Sequence, residues 1–181
     1  MFMRISRLFF IIFFFSIASV FAQCTFCTKQ VIDYQKYYED DLVVALYCFR
    51  PMYPGHCLIL PKRHIERFEE LTSDEMLAVQ KTICLTHKAV KNLFQASSYL
   101  LLQKNGKEVG QSQPHLHFHY IPRRADQTST IGFLWKFFLQ VFRKDNISKE
   151  HMNEMTYAMS EEIKKSQKLK QLSFLFKKSS S

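Results

Sequence analysis

Hydrophobic spacing divides the chain into segments of different period. Residues 1–22, MFMRISRLFFIIFFFSIASVFA, place Arg4 and Arg7 ahead of an unbroken apolar run from Leu8 to Phe15. A basic start, an apolar middle and Val20-Phe21-Ala22 at the end follow the pattern of a secretory signal peptide cleaved after Ala22. An uncleaved N-terminal anchor is the alternative, provided the whole segment spans. The expected location is therefore secreted or periplasmic, or membrane-anchored on the extracytoplasmic side. Residues 28–41 read as a surface segment with a turn at Asp40-Asp41. Leu42–Phe49, LVVALYCF, is rich in strand formers, and the turn Pro51–Gly55 leads into a second, antiparallel strand over His56–Pro61. Thr72 and Glu75 have capping-box spacing, with Leu71 and Met76 as the hydrophobic staple. Met76, Val79, Ile83, Val90 and Phe94 then recur at the helical period, so one long helix lays a single stripe on the sheet and stops near residues 95–98. Tyr99–Gln103 reads as a third strand and Lys104–Gly110 as a loop. From about Gln113 to Ile121 the period drops to two, which predicts a half-buried strand.

Beyond residue 123 the pattern changes again. Ile131–Phe142, IGFLWKFFLQVF, is apolar on nearly all sides but too short to span a bilayer. It fits a helix packed on the sheet, a dimer contact, or an interfacial element with Trp135 at headgroup level. A further helix over Ser148 to about Leu172 carries Met152, Met155, Met159 and Ile163 on one stripe and ends in a solvated basic tail. The organisation expected is residues 1–22 as leader or anchor, 23–124 as an α+β domain with an antiparallel sheet and a packed long helix, and 125–181 as a mainly helical extension.

At 181 residues the chain suits one domain with a sizeable core. Its net charge of +9 favours an anionic partner only weakly, because the basic residues are scattered and no nucleic-acid module signature occurs. Five cysteines, an odd number, do not make a fully paired disulfide framework. Cys57 and Cys84 read as buried small hydrophobes, whereas Cys24 and Cys27 form a C-x-x-C that could hold metal or, in an oxidising compartment, pair.

The two-residue period puts His115, His117 and His119 on one face and Leu116, Phe118 and Tyr120 on the other. Aligned imidazoles suit metal binding or nucleophilic catalysis in which one ring attacks and its neighbours fix tautomers and protons. Alternate strand positions lie about 6.6 Å apart, which permits a site using all three histidines without requiring one. Gly110, Gln111 and Ser112 supply donors suited to phosphate oxygens. Taken alone, His56 reads as a hydrogen-bonded structural histidine and His64 as a surface residue.

GQSQPHLHFHYIPR, with Asn105-Gly106 ahead of it and PGHCLILPKRH earlier, resembles the histidine-triad family of nucleotide hydrolases and transferases over about residues 24–124. The YEDD segment, the initial CTFC and the capped helix also fit its bacterial, zinc-containing members. The resemblance implies that His117 attacks the α-phosphorus of a nucleotide amide, ester or anhydride to give a nucleotidyl-histidine intermediate. His119 and His56 would hold the α-phosphate charge, Gln111 and Ser112 would bind phosphate or bridging oxygens, and Ser112 would assist the leaving group. Asn105, Gly106 and Gly110 match the pocket loop, and Leu42, Leu58 and Ile59 the apolar contacts around the base. It further implies structural Zn2+ on Cys24, Cys27, His64 and His115, no organic cofactor, no magnesium clamp, and a homodimer that continues the sheet. Three positions depart from the family pattern. Cys48 stands where Asn or Asp usually binds ribose, Lys104 where many members have Asn, and Gln113 where a small or branched apolar residue is usual. A zinc-containing binding or scaffold protein without catalysis is the alternative function.

Overall fold

The computed structural model describes residues 24–126, 129–140, 142 and 145–179. The leader, residues 1–22, lies outside the described residues. Among the described residues, five strands form one antiparallel sheet in the order β1-β2-β3-β5-β4. The strands are β1 Lys36–Glu39, β2 Val43–Tyr47, β3 Cys57–Pro61, β4 Ser98–Gln103 and β5 Phe118–Arg123. The helices are α1 Lys29–Gln35, α2 Ser73–Phe94, α3 Thr130–Gln140 and α4 Lys149–Ser179.

Apolar runs in β2 and β3 put both strands in the middle, buried along their whole length. The turn between them closes on Gly55, whose φ of +86° suits glycine. A Cβ there would lie 2.9 Å from the Phe94 ring, so the turn and the end of α2 pack only without a side chain. Helix α2 starts at the expected capping box. The Thr72 hydroxyl accepts from the Glu75 N–H at 3.2 Å, and the Glu75 carboxylate accepts from the Thr72 N–H at 2.9 Å. Arg63 closes this N-terminus with two bonds to the Glu75 carboxylate, at 2.9 and 2.8 Å.

Alternation then sorts the sheet into two faces. Tyr37, Val43, Ala45, Tyr47, Cys57, Ile59, Phe118 and Tyr120 meet Val79, Ile83 and Val90 of α2 and Met152, Met159 and Ile163 of α4. On the other face, Val44, Leu46, Cys48, Leu58 and Leu60 meet Phe26, Val31 and Ile32 of the N-terminal segment. Beside them, Phe133 and Phe137 of α3 pack on Met52, Tyr53 and Ile121. No described helix is long and apolar enough to cross a membrane.

Several elements differ from the expectation. Residues 28–41 contain α1 and edge strand β1 rather than a plain surface segment; only Tyr37 of β1 is buried, too little alternation to read as a strand. Helix α4 continues past Leu172 to Ser179. The largest correction concerns the histidine strand, which runs Phe118–Arg123 instead of Gln113–Ile121. Before Phe118 the ladder bonds are diverted: the Leu116 N–H goes to the Ile65 carbonyl at 2.7 Å, and the Pro61 carbonyl accepts from His115 instead of from a strand neighbour. The side chains keep alternating through this unpaired stretch, with Leu116 in the α2/α4 core.

Candidate functional site

The histidine face lies between the N-terminal segment and α3. At its start the His115 ring approaches both cysteines. Its Nδ1 lies 3.5 Å from Cys24 Sγ and 3.5 Å from Cys27 Sγ, and His64 Nδ1 lies 3.5 Å from Cys27 Sγ. The four donor atoms all fall within 4.8 Å of one another. Tetrahedral zinc, with Zn–S near 2.3 Å and Zn–N near 2.05 Å, holds neighbouring sulfur and nitrogen ligands about 3.6 Å apart, so the cluster has the dimensions of a Cys2His2 zinc site. Donation from His115 Nε2 to the Pro61 carbonyl, at 2.9 Å, leaves Nδ1 as the ligand atom. Partial burial and the adjacent Cys24 push the Cys27 thiol up to about 11, so holding its sulfur as a thiolate needs a cation beside it. The cysteines are not bonded to each other. The arrangement is that of a structural zinc site tying residues 24–27 to the strand, and it turns His64 from a surface residue into a ligand.

Two residues on, His117 Nδ1 lies 2.7 Å from the His115 carbonyl. A carbonyl only accepts, so the proton sits on Nδ1 and Nε2 keeps its lone pair. Burial holds the His117 pKa below the ordinary histidine value, which favours the neutral ring. The Phe26 ring, from between the two zinc-site cysteines, stands edge-on at 5.2 Å and limits the movement of His117.

His119 and His56 form a wired pair. The Met52 N–H donates to His56 Nδ1 at 3.1 Å, so His56 carries its proton on Nε2 and donates it to His119 Nδ1, also at 3.1 Å. His119 is thereby left with its proton on Nε2. Burial lowers the His56 pKa to about 4. Burial, with His56, His117 and Lys104 nearby, drives that of His119 well down. The His117 and His119 rings lie 4.9 Å apart, centre to centre. One neutral nitrogen with a lone pair thus stands beside one N–H donor, the pairing that attack on an anionic centre requires.

The loop before the histidines is held by bonds within itself and to residues 66–69. Gly106, at φ +121°, gives its N–H to Gln111 Oε1 at 2.6 Å, and Gln111 Nε2 donates to the Glu66 carbonyl at 2.9 Å. Asn105 accepts the Phe68 N–H at 2.9 Å and donates to Glu69 at 2.8 Å. Gly110, at φ +80°, ends the loop and accepts from Lys104 Nζ at 3.2 Å. Gly106, Gln111 and exposed Ser112 line a cavity of about 380 Å3 together with Arg67 and Glu108. Asn105 and Gln111 therefore shape the loop by tying it to residues 66–69. Leu58 pairs directly with His119 across β3 and β5, on the histidine face, and Ile59 points the other way into the α2/α4 core. Leu42, just before β2, lines a surface cleft with Asp40, Leu77, Ala78 and Lys81.

Sequence reasoning missed Phe26 as a neighbour of His117 and Arg67 as a wall of the loop cavity. Phe26 carried a faint signal in its place between two candidate ligands; Arg67 carried none. Lys104, singled out only as a departure, follows the pair Gln103↔Phe118 at the end of the β4–β5 ladder. Its charge lies near enough to His117 and His119 to help lower the pKa of both rings, after burial.

The HIT-domain profile matches residues 29–126, more than half of the chain. An uncharacterised HIT-like protein of Methanocaldococcus jannaschii is 35% identical over 112 residues, covering 61% of this chain and 86% of that protein. A bis(5'-adenosyl)-triphosphatase of Saccharomyces cerevisiae is 37% identical over 97 residues, covering 53% of this chain and 47% of the yeast enzyme. This chain therefore spans about half the length of that relative. Among solved structures, a histidine triad nucleotide-binding protein of Sulfolobus tokodaii superposes with a TM-score of 0.62 at 27% identity, covering 78% of this chain and 93% of the other.

Proposed function

The chain belongs to the HIT-domain family, and on that premise we propose that it is a nucleotide hydrolase or nucleotidyl transferase acting through a nucleotidyl-His117 intermediate. The observation that carries this reading is the tautomer pattern. The His115 carbonyl fixes the His117 proton on Nδ1, and the Met52–His56 chain fixes the His119 proton on Nε2. The lone pair on His117 Nε2 attacks the α-phosphorus; a P–N bond forms, and the bond to the leaving group breaks with its electron pair. His119 donates to a non-bridging oxygen, where charge builds up. Water or an acceptor hydroxyl then displaces His117, releasing a nucleoside monophosphate or its conjugate.

Lys104, whose charge reaches His117 and His119, suits a substrate with more than one phosphate, in line with the triphosphatase activity that the yeast relative's name states. Buried Cys48 lies in the apolar cluster with Leu58 and offers ribose no carboxylate or amide, so phosphate recognition dominates over nucleoside recognition. Strand β4 has one sheet neighbour and exposes Tyr99, Leu100 and Leu101, a surface on which a second copy would extend the sheet.

The test is intact-protein mass after brief incubation with dinucleoside polyphosphates and nucleoside phosphoramidates. A nucleotidyl adduct is expected, absent in His117→Ala together with at least ~10³-fold of turnover. Undiminished turnover by His117→Ala would sink the assignment. A zinc-loaded protein forming no adduct with any substrate would identify the scaffold alternative.

A further inference from the structure

Helix α3 is amphipathic the wrong way round. Phe133 and Phe137 face the domain, and Gln140 ties that side down by donating to the Arg50 carbonyl at 2.8 Å. Tyr53 stacks on Phe133 at 6.1 Å, Arg123 sits over the Phe133 ring at 5.2 Å, and Lys136 sits over Tyr53 at 4.0 Å. This fastened side is the smaller one. The opposite face presents Ile131, Leu134, Trp135, Phe138, Leu139 and Phe142 to solvent, with Ile131 81% and Trp135 62% exposed. Their spacing is that of one helical stripe. Trp135 and Phe138 stack at 5.9 Å, and Phe138 meets Phe142 at 5.6 Å, so the exposed rings form a continuous ridge. A folded domain does not leave such a ridge in water without a use for it.

Charge says what covers it. Residues 123–145 carry five basic side chains, Arg123, Arg124, Lys136, Arg143 and Lys144, against two acidic ones, Asp126 and Asp145, a net charge of +3. Asp126 is already paired with Arg124. A second copy is a poor fit. A two-fold contact would bring the same cations together. A shallow apolar ridge with an exposed Trp, carried on a segment of net positive charge, matches the boundary between lipid headgroups and acyl chains. We propose that the outward face of α3 docks on an anionic membrane surface. Phe133 packs on Ile121, two residues beyond His119 on the same strand face, so docking sets the histidine face beside the lipid headgroups.

Trp135 is the single tryptophan of the chain, and its fluorescence reports this contact separately from any affinity of residues 1–22 for lipid. The full chain is mixed with vesicles of phosphatidylcholine alone or with phosphatidylglycerol added, with and without brominated acyl chains. The expected result is a blue shift of Trp135 and at least about twofold quenching by brominated chains on the anionic vesicles, weaker on neutral ones and in high salt. Leu134→Ser, Phe138→Ser and Phe142→Ser, all at exposed positions, should each reduce the quenching while leaving far-UV dichroism unchanged. Unchanged Trp135 emission in protein that sediments with vesicles would overturn the proposal, as would a blue shift that needs only higher protein concentration. Equal shifts on neutral and anionic vesicles would overturn the role of charge.

Discussion

His56 is where the proposed histidine wiring can be broken without touching the nucleophile. It is 4% exposed, accepts the Met52 N–H on Nδ1 and donates from Nε2 to His119. His56→Phe keeps a ring of similar size but removes both bonds. The buried Met52 N–H is then left without an acceptor, at a cost of about 1–3 kcal/mol. His119 Nδ1 loses its donor, the ring can move its proton to Nδ1, and Nε2 no longer donates to the phosphate. Losing one preorganised donor lowers kcat by about 10²–10³-fold. His56→Gln offers an amide N–H to His119 and an amide oxygen to Met52, and should stay within about tenfold of the parent. Stability carries a second readout. Burial holds the folded His56 pKa at about 4 against an ordinary 6.5, so between those values the unfolded chain binds the proton and the folded one does not. Folding is therefore stabilised as pH rises through that window, by roughly 3 kcal/mol from this residue, and His56→Phe should lose that share of the slope. Turnover of a dinucleoside polyphosphate at saturation and urea unfolding at pH 5 and pH 7 measure both. Equal loss of kcat in the Phe and Gln variants, or a Phe variant with full turnover, would refute the wiring.

Cys24→Ser and His64→Ala should each leave less than one zinc per chain by elemental analysis and cost at least ~2 kcal/mol in denaturant unfolding. Glu75→Gln tests the α2 N-terminus. Arg63 holds the Glu75 carboxyl down to about 2, so the stability it supplies is complete above the ordinary 4.5 and is lost as pH falls toward 2. With Arg63 half exposed, the substitution should cost about 1–2 kcal/mol at pH 7, seen as a lower urea midpoint. Lys104→Asn should lower kcat/KM about tenfold for a triphosphate-bridged substrate, less for a monophosphoramidate and less at high salt; an equal loss on both would place the lysine elsewhere than on the phosphates.

Much of the fold was legible because long apolar runs and strong local chemistry announce themselves: β2, β3, the Thr72–Glu75 box and the alternation through His119. What escaped depends on partners distant in sequence. Strand β1 buries only Tyr37, and α1 is seven residues long, so neither carries a period long enough to read. The start of β5 is set by where the Leu116 N–H and the Pro61 carbonyl find partners, which no spacing encodes. In the site, residue types gave away the histidines and cysteines, but Arg67 and Phe26 join it only through folding.

Three identical residues at identical spacing acquire three roles because each ring finds a different partner, a backbone carbonyl for His115 and His117 and the His56 ring for His119. His115 donates from Nε2 to Pro61 and turns Nδ1 to the sulfurs; His117 donates from Nδ1 and keeps Nε2 for attack; His119 accepts at Nδ1 and keeps Nε2–H for the phosphate. His115 joins the first two roles, since its ring belongs to the Cys2His2 cluster and its carbonyl fixes the His117 tautomer. A ligand lost from the cluster therefore reaches the nucleophile through a single residue. Zinc-site variants should lose kcat even at temperatures where they remain folded, whereas a metal that only held the N-terminal segment in place would lower the unfolding midpoint and leave kcat alone.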